Sequence, residues 1–274
     1  SAHPCRYPAA VLPLICIDVD GTLVGASGSP TDAVWAAADA AGDRGQHLTL
    51  TTARGAFGPT YGYAQRLDPD GWHIFHSGAA LVHTGTGAVR EHPLSDDVIA
   101  LAAAVAADHD WVFEYYAATD YTVESNTQLA VDHAALMGVD HRCRTVDDLD
   151  GGVLRVQFVV PTAETSVIEQ AIGDAAMVTA ASSPIMAGTA FVSVTAAGVD
   201  KASAIAEIAR ILETDMAQVM MVGDGHNGLE AVRAVGHGTA MGNAEPAVKA
   251  VARHHVADVE ADGLAEALAL SATL

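Results

Sequence analysis

The sequence predicts an α/β protein built on a mostly parallel β-sheet with helices on both faces. The first observation is a repeated order, in which short apolar runs at 12–19, 47–51 and 72–75 alternate with helical stretches. The second is the return of this order near the end of the chain, at 219–222 and 239–241. Strands that alternate with helices form parallel sheets, because each helix carries the chain back to the start of the next strand. We therefore expect a Rossmann-like core.

Turn and capping residues mark where the first elements begin and end. Ser29 followed by Pro30 predicts the start of a helix, and Gly45 predicts its end near Arg44. The turn sequence Asp-Pro-Asp-Gly at 68–71 ends a second helix. These signals separate the first three strands.

A second unit interrupts this pattern. Ser95 is placed to cap a helix, and a hairpin of alternating residues follows at 111–125. The first pattern resumes after Ala187, and we assign the apolar run at 190–195 to the core sheet. The predicted domains are a core of residues 1–93 and 188–274 and an inserted α+β domain of residues 94–187.

Composition and charge exclude several classes of protein. Half of the 274 residues are hydrophobic, which excludes an intrinsically disordered chain. No apolar run approaches the roughly 18 residues of a membrane-spanning helix. The formal net charge of −21 repels nucleic acid and anionic lipid, so we expect neither nucleic acid nor membrane as a partner. The oligomeric state is left open.

The cysteines indicate the redox environment. Cys5, Cys16 and Cys143 are odd in number and unrelated in spacing, so a disulfide framework is not predicted. Free thiols of this kind are typical of cytoplasmic proteins, and we expect a cytoplasmic location.

Polar residues that can do chemistry follow the predicted strands. In open parallel sheets, ligands bind beyond the carboxyl ends of the strands, so these residues are expected to meet at one edge. They are Asp18 and Asp20 after the first strand, Thr52 and Arg54 after the second, Lys201 at the start of a helix, and Asp224 and Asn227 after the strand 219–222.

This combination of side chains favours phosphoryl transfer. Three carboxylates in one pocket repel one another and need a hard cation, for which Mg²⁺ with oxygen ligands is the natural choice. One carboxylate can attack phosphorus and form an aspartyl phosphate, while an acid two residues further on protonates the leaving oxygen and later activates water. Thr52 and Lys201 would bind the phosphoryl oxygens.

The sequence resembles the haloacid dehalogenase superfamily, and within it the Cof-type phosphatases with a large α/β cap of the second class, subclass B. Four ordered segments carry the resemblance, namely Asp-Val-Asp-Gly-Thr at 18–22, Thr-Ala-Arg at 52–54, Gly-Val-Asp-Lys at 198–201 and Gly-Asp-Gly-His-Asn-Gly at 223–228. Two later segments, 240–244 and 261–264, match the end of the family's pattern. The resemblance covers the core from about residue 12 to residue 270.

The resemblance implies a role for each predicted residue. Asp18 would be the nucleophile and Asp20 the acid/base, with Thr52 and Lys201 as further catalytic residues. Mg²⁺ would be held by the Asp18 side chain, the Asp20 backbone carbonyl and the Asp224 side chain. The substrate-binding residues would be Thr52, Arg54, Lys201 and Asn227. The inserted domain would be the cap that determines substrate specificity.

One departure from the family's pattern concerns the metal motif. Gly228 stands where the family has a second acid. Losing a supporting carboxylate costs about tenfold to a hundredfold in metal affinity or activity. We expect that Glu230 or a water molecule replaces it, or else that turnover is impaired.

The charge of the inserted domain bears on the substrate. Residues 94–187 carry 15 acidic and 3 basic residues, a net charge of −12, which does not suit a leaving group with many negative charges. We expect a small phosphate monoester of a neutral or cationic body, such as a sugar or polyol phosphate. Arg142, Arg144 and Arg155 are the basic residues that would form a local site for a carboxylated substrate.

Three alternatives stay open beside a Mg²⁺-dependent phosphatase. A sugar phosphomutase would have a similar cap. A phosphate-binding or regulatory protein with impaired turnover would explain Gly228. A receiver-like signalling domain also combines acids, a threonine and a lysine, but such domains lack the large insertion.

Overall fold

Three sheets and the helices packed against them organise the chain in the computed structural model, which describes residues 11–182 and 184–274. In chain order the strands are β1 (Leu14–Ile17), β2 (His47–Leu50), β3 (Trp72–Phe75), β4 (Ala80–His83), β5 (Val89–Glu91), β6 (Val112–Tyr116), β7 (Tyr121–Val123), β8 (Arg155–Pro161), β9 (Met177–Ser182), β10 (Thr189–Thr195), β11 (Val219–Gly223), β12 (His237–Ala240) and β13 (His254–His255). The α-helices are α1 (Asp32–Asp43), α2 (Gly58–Leu67), α3 (Asp96–Asp108), α4 (Gln128–Met137), α5 (Thr165–Ile172), α6 (Lys201–Ile211), α7 (Leu229–Ala234), α8 (Pro246–Val251) and α9 (Gly263–Leu270).

The core sheet is parallel throughout and has the strand order β13-β12-β11-β1-β2. Strand β1 is completely buried because it has a strand on each side and helices packed around the sheet. Ile17 pairs with Leu50 on one side and with Val222 on the other, so three strands end at the same level. The predicted α/β fold is confirmed, and the residues that follow these three strands are brought together.

The inserted unit has its own antiparallel sheet, in the order β7-β6-β8-β10-β9. Helices α3 and α5 pack against it. The assignment of 190–195 to the core sheet is wrong, because β10 pairs antiparallel with β8 and β9, with Thr195 opposite Arg155. A buried apolar run looks the same in either sheet, so its composition could not decide the partner. We propose that the chain returns to the core after Thr195, and we use "cap" for residues 94–195 below.

The third sheet, β3-β4-β5, is antiparallel and extends the edge of the core. It is joined to the core sheet by a parallel bridge between Thr51 and Ile74. The predicted strand 72–75 is confirmed as β3.

At the starts of α3 and α1, a side chain accepts a free backbone N–H group. Ser95 caps α3 as predicted, with its hydroxyl accepting from the Val98 N–H at 3.4 Å. The start of α1 is two residues later than predicted, because Thr31 rather than Ser29 accepts the N–H of Val34, at 3.2 Å.

Two remaining predictions concern cysteines and membranes. Cys16 is buried in β1 and Cys143 is exposed, and both are free thiols, whereas Cys5 lies outside the described residues. Within residues 11–182 and 184–274, no helix is long and apolar enough to cross a membrane.

Two buried histidines, His73 and His76, form hydrogen bonds to backbone groups of neighbouring elements. His73 accepts the Leu50 N–H at 3.0 Å and donates to the Asp68 carbonyl at 2.9 Å. His76 donates to the Ala118 carbonyl at 3.2 Å. Burial lowers the pKa of His73 to about 4, and burial together with the nearby Arg155 guanidinium lowers the pKa of His76 to about 3. Both side chains are therefore neutral in the folded protein at neutral pH.

We expect the stability of the protein to fall as the pH drops below about 6.5, because the unfolded histidines bind protons that the folded ones do not. Each such histidine contributes a slope of up to about 1.4 kcal/mol per pH unit until its folded pKa is reached. The measurement is the free energy of unfolding in urea across this pH range, for the protein and for His76→Asn. The variant should show a shallower slope by about one proton. Equal slopes would contradict the prediction.

Candidate active site

The loop after β1 places Asp18 in the interior of the site. Asp18 is 4% exposed, and its N–H donates to the Val222 carbonyl of β11 at 3.0 Å. Gly21 has a φ of +74°, and a Cβ at this position would lie 2.0 Å from Asp224 Oδ2. A side chain does not fit there, so glycine is required for the loop to approach Asp224 this closely.

The first group of predicted residues is a buried ion pair with an amide beside it. Lys201 begins α6 behind the N-cap Asp200, and its side chain is 1% exposed. Its Nζ donates to Asp18 Oδ2 at 2.7 Å and lies 3.5 Å from Asn227 Oδ1. Removing one member of such a pair leaves a buried charge without compensation.

The second group lies after β2. Arg54 forms a two-pronged ion pair with Asp20, from Nε to Oδ2 at 3.1 Å and from Nη2 to Oδ1 at 2.5 Å. The Asp20 side chain is 68% exposed, so it lies at the open side of the site. Thr52 is buried, and its hydroxyl accepts the Arg54 N–H at 3.1 Å. The Thr52 hydroxyl is thus bonded to the backbone of Arg54, and the Arg54 guanidinium is bonded to the Asp20 carboxylate.

The third group surrounds Asp224. Thr22 donates to Asp224 Oδ1 at 3.2 Å, and Asn243 donates to Oδ2 at 3.3 Å and to the Gly21 carbonyl at 2.8 Å. Burial and, after it, the nearby Asp18 carboxylate raise the pKa of Asp224 to about 7, against the opposing effect of Thr22 and Lys201. Two carboxylates therefore share a partly buried space with too little positive charge.

Thr22 and Asn243 were not among the predicted site residues. Both lie in segments that the sequence analysis had singled out, 18–22 and 240–244. The available signal was therefore their position in those motifs.

The residues fit a single divalent cation. Among the described residues there is no group of three or more His, Cys, Asp and Glu side chains that could hold a metal ion. The predicted ligand set has only two carboxylate side chains, Asp18 and Asp224, and a backbone carbonyl from Asp20, and it stays a prediction. The raised pKa of Asp224 suits a cation there, because positive charge would stabilise a carboxylate that burial and the neighbouring Asp18 disfavour.

Of the two expected substitutes for the missing acid, Glu230 and a water molecule, Glu230 is engaged elsewhere. Glu230 is paired with Arg233 on α7, and its side chain is 59% exposed. It points to solvent because the neighbouring arginine on the same helix face offers a partner there. Gly228 itself lies beside the nucleophile candidate, since a Cβ at this position would be 3.6 Å from Asp18 Oδ2. The expectation for Glu230 is therefore wrong.

Comparison with known proteins gives the family. The chain belongs to the haloacid dehalogenase-like hydrolases, whose family model matches residues 15–268. It is a phosphohydrolase of this superfamily. Phosphatases of the superfamily generally use a divalent metal ion.

Several similar proteins match almost the whole chain. The protein named "Putative phosphatase YxeH" from Bacillus subtilis (strain 168) is 25% identical over 264 residues, which is 93% of this chain and 96% of the relative. Among solved structures, the phosphatase BT1666 from Bacteroides thetaiotaomicron covers 100% of both chains with a TM-score of 0.79 and 21% identity. The subclass IIB sugar phosphatase BT4131 has a TM-score of 0.81 and 21% identity, covering 95% of this chain and 99% of its own. These similarities include the cap as well as the core.

Proposed function

We propose that the protein is a Mg²⁺-dependent phosphatase that hydrolyses a small phosphate monoester through an aspartyl phosphate on Asp18. The observation that carries the proposal is the buried Asp18–Lys201 pair beside Asp224, with the Asp20–Arg54 pair at its open side. The loops after β1, β2 and β11, together with the start of α6, would thereby provide a nucleophile, an acid/base and a metal position.

The proposed reaction has two steps. In the first, a carboxylate oxygen of Asp18 attacks phosphorus and the bond from phosphorus to the ester oxygen breaks. Asp20, with one oxygen released from Arg54 and protonated, donates that proton to the leaving oxygen. In the second, Asp20 accepts a proton from water, the water oxygen attacks phosphorus, and the bond to Asp18 breaks with release of phosphate. Mg²⁺, when bound by Asp18, Asp224 and the Asp20 carbonyl, would supply positive charge to the phosphoryl oxygens.

Three further residues would bind the phosphoryl group. The Lys201 ammonium already contacts Asp18 and lies within reach of oxygens on a phosphorus bound there. The Thr52 hydroxyl accepts from Arg54 and keeps its own proton to donate. Asn227 lies beside the Lys201 ammonium and would orient it.

Replacing Lys201 with methionine is expected to slow hydrolysis by about tenfold to a hundredfold, because a charge-assisted hydrogen bond to the transferring group is lost. The chain offers a matched control, since Lys249 is its other lysine and donates to the Gly242 carbonyl away from Asp18. The measurement is kcat for an aryl phosphate, together with thermal unfolding. Similar rates for Lys201→Met and Lys249→Met would contradict the assigned role.

The cap arginines support an uncharged leaving group. Arg144 forms an ion pair with Asp120 at 2.7 Å and donates to the Tyr121 carbonyl at 2.6 Å. Arg155 is buried over the ring of Tyr116. Arg142 and Arg144 line one cavity of about 200 Å³, but Asp120 and Asp140 line it too and Arg155 does not, so the expected basic site of three arginines is not formed. The name of BT4131, a sugar phosphatase, points to the same class of substrate.

A substrate panel tests the proposal. The protein is incubated with p-nitrophenyl phosphate, sugar and polyol monophosphates, and nucleoside di- and triphosphates, with Mg²⁺ or with a chelator. We expect metal-dependent phosphate release that is fastest with the sugar and polyol esters. Faster release from the nucleotides would contradict the substrate class, and metal-independent release would contradict the mechanism.

A second candidate is a phosphate-binding protein with impaired turnover, which the position of Gly228 beside Asp18 favours. It predicts tight binding of a phosphate ester without release of phosphate. A sugar phosphomutase predicts that the phosphoryl group moves to a second hydroxyl of the sugar instead of to water.

A further inference from the structure

In the part of the chain that the structure describes, the cap bonds to the loop after β2 at Ala53 and Ala56 and to the turn after β3 at His76. Arg155, the first residue of β8, donates from Nη1 to the Ala53 carbonyl at 2.7 Å. From the other side, the Ala118 carbonyl of the cap accepts the Ala56 N–H at 3.2 Å and the His76 side chain at 3.2 Å. The segment that carries Thr52 and Arg54 is therefore held between core and cap.

The backbone carbonyls of residues 52, 53 and 54 all accept hydrogen bonds, and the donor to the middle one comes from the cap. The Thr52 carbonyl accepts the Ser77 N–H at 2.9 Å, and the Arg54 carbonyl accepts the His76 N–H at 2.9 Å. Both donors belong to the core. The carbonyl between them, that of Ala53, accepts from Arg155 of the cap. The peptide plane between Ala53 and Arg54 is thus held on its carbonyl side by a side chain from the inserted domain and on its N–H side by the Thr52 hydroxyl.

The Arg155 guanidinium is itself rigid. The residue is 5% exposed, and its guanidinium carbon lies 3.9 Å from the centre of the Tyr116 ring. The hydroxyl of Tyr116 donates to Glu114 at 2.6 Å, and this buried carboxylate also bonds to His133 at 2.8 Å. A charged group fixed by stacking and by a buried network loses little conformational freedom when it donates a hydrogen bond.

We infer that Arg155 is a positioning residue for the acid/base step. It orients the peptide of Ala53 and, through it, Arg54, whose guanidinium holds both oxygens of Asp20. The inference rests on the proposed function, in which Asp20 donates a proton to the leaving oxygen. The cap would then contribute to proton transfer as well as covering the substrate.

The leaving group provides a readout that a merely structural role would not change. An alkyl ester leaves as a strongly basic alkoxide and needs a correctly placed acid, whereas p-nitrophenolate leaves readily without one. A misplaced Asp20 therefore slows the first step for alkyl phosphates much more than for p-nitrophenyl phosphate. The ratio of the two kcat/KM values reports this step and is independent of the fraction of folded enzyme.

The experiment compares Arg155→Gln with Thr122→Val as the matched control. Thr122 is also a buried polar residue of the cap, but its hydroxyl donates to the Arg144 and Thr145 carbonyls and has no bond to Glu114 or Tyr116. For Arg155→Gln we expect kcat/KM for a sugar or glycerol phosphate to fall by about tenfold to a hundredfold. The value for p-nitrophenyl phosphate should change by less than about threefold, and Thr122→Val should leave the ratio unchanged.

Other outcomes separate this inference from the proposed function. A parallel fall for both substrates in Arg155→Gln, or an unchanged ratio, would overturn the role of Arg155 while the wild-type activity stands. Absence of any phosphatase activity in the wild-type protein would instead overturn the proposed function. Should Arg155→Gln not fold, Arg155→Lys keeps one donor and loses the planar stacking, and it is expected to lower the ratio by a smaller factor. If folded Arg155→Lys had the wild-type ratio of the two kcat/KM values and the wild-type affinity for inorganic phosphate, the inference would also be overturned.

Discussion

The Asp18→Asn variant is expected to lose hydrolysis of phosphate monoesters by at least about a thousandfold, because an amide cannot form the acyl phosphate. The substitution keeps the shape of the side chain, which is almost completely buried. Activity is measured with p-nitrophenyl phosphate and a sugar phosphate at saturating Mg²⁺. In parallel, acid quench followed by mass spectrometry should find a phosphoryl group on Asp18 of the wild-type protein and none on the variant.

Loss of folding is the competing explanation for an inactive Asp18→Asn protein. The variant leaves the Lys201 ammonium buried without its counter-charge, so we expect a lower melting temperature as well. Lys201→Met, which breaks the same pair from the other side, is the control for this effect. If Asp18→Asn kept as much activity as Lys201→Met, Asp18 would not be the nucleophile.

The Gly228→Asp variant is expected to tighten Mg²⁺ activation by about tenfold to a hundredfold, because it supplies a carboxylate beside the proposed metal position. The backbone allows it, since Gly228 has a φ of −100°. The space also allows it, because a Cβ there would meet Asp18 Oδ2 at 3.6 Å and Met221 Cε at 3.7 Å, which are ordinary contacts. The measurement is the Mg²⁺ concentration for half-maximal activity.

A second readout of Gly228→Asp does not depend on turnover. Without a cation the new carboxylate repels Asp18, so the metal-free variant should melt at a lower temperature than the wild-type protein. Added Mg²⁺ should raise the melting temperature of the variant more than that of the wild type. Gly228→Asn has the same shape without the charge and should show neither effect. An unchanged activation curve for Gly228→Asp would show that position 228 does not support the metal.

The strand ends of the core were accessible to sequence reasoning for a simple physical reason. A parallel sheet buries its strands on both faces, so each strand is a short apolar run that ends abruptly at a polar residue. Asp18 and Asp224 both follow such runs. Parallel pairing then brings these positions to one edge, and no knowledge of side-chain contacts is needed to predict that they meet.

What sequence reasoning missed depends on partners that are distant in the chain. β10 has the same apolar character as a core strand, and only pairing with β8 and β9 places it in the cap. Glu230 has the right charge and nearly the right position, but Arg233 one helical turn away pairs with it. Arg155 was considered only as part of a basic site, because its stacking on Tyr116 and its bond to Ala53, 102 residues away in the chain, join segments that are not neighbours in the sequence.

The contact at Ala118 has a consequence for how this protein can diverge. A carbonyl oxygen is present whatever residue occupies the position, so the hydrogen bonds from Ala56 and His76 place little demand on the side chains of the hairpin turn. Mutations can therefore accumulate in that turn over evolutionary time while the cap keeps these hydrogen bonds to the core. Proteins of this family that differ widely there can still share the same arrangement of the two domains.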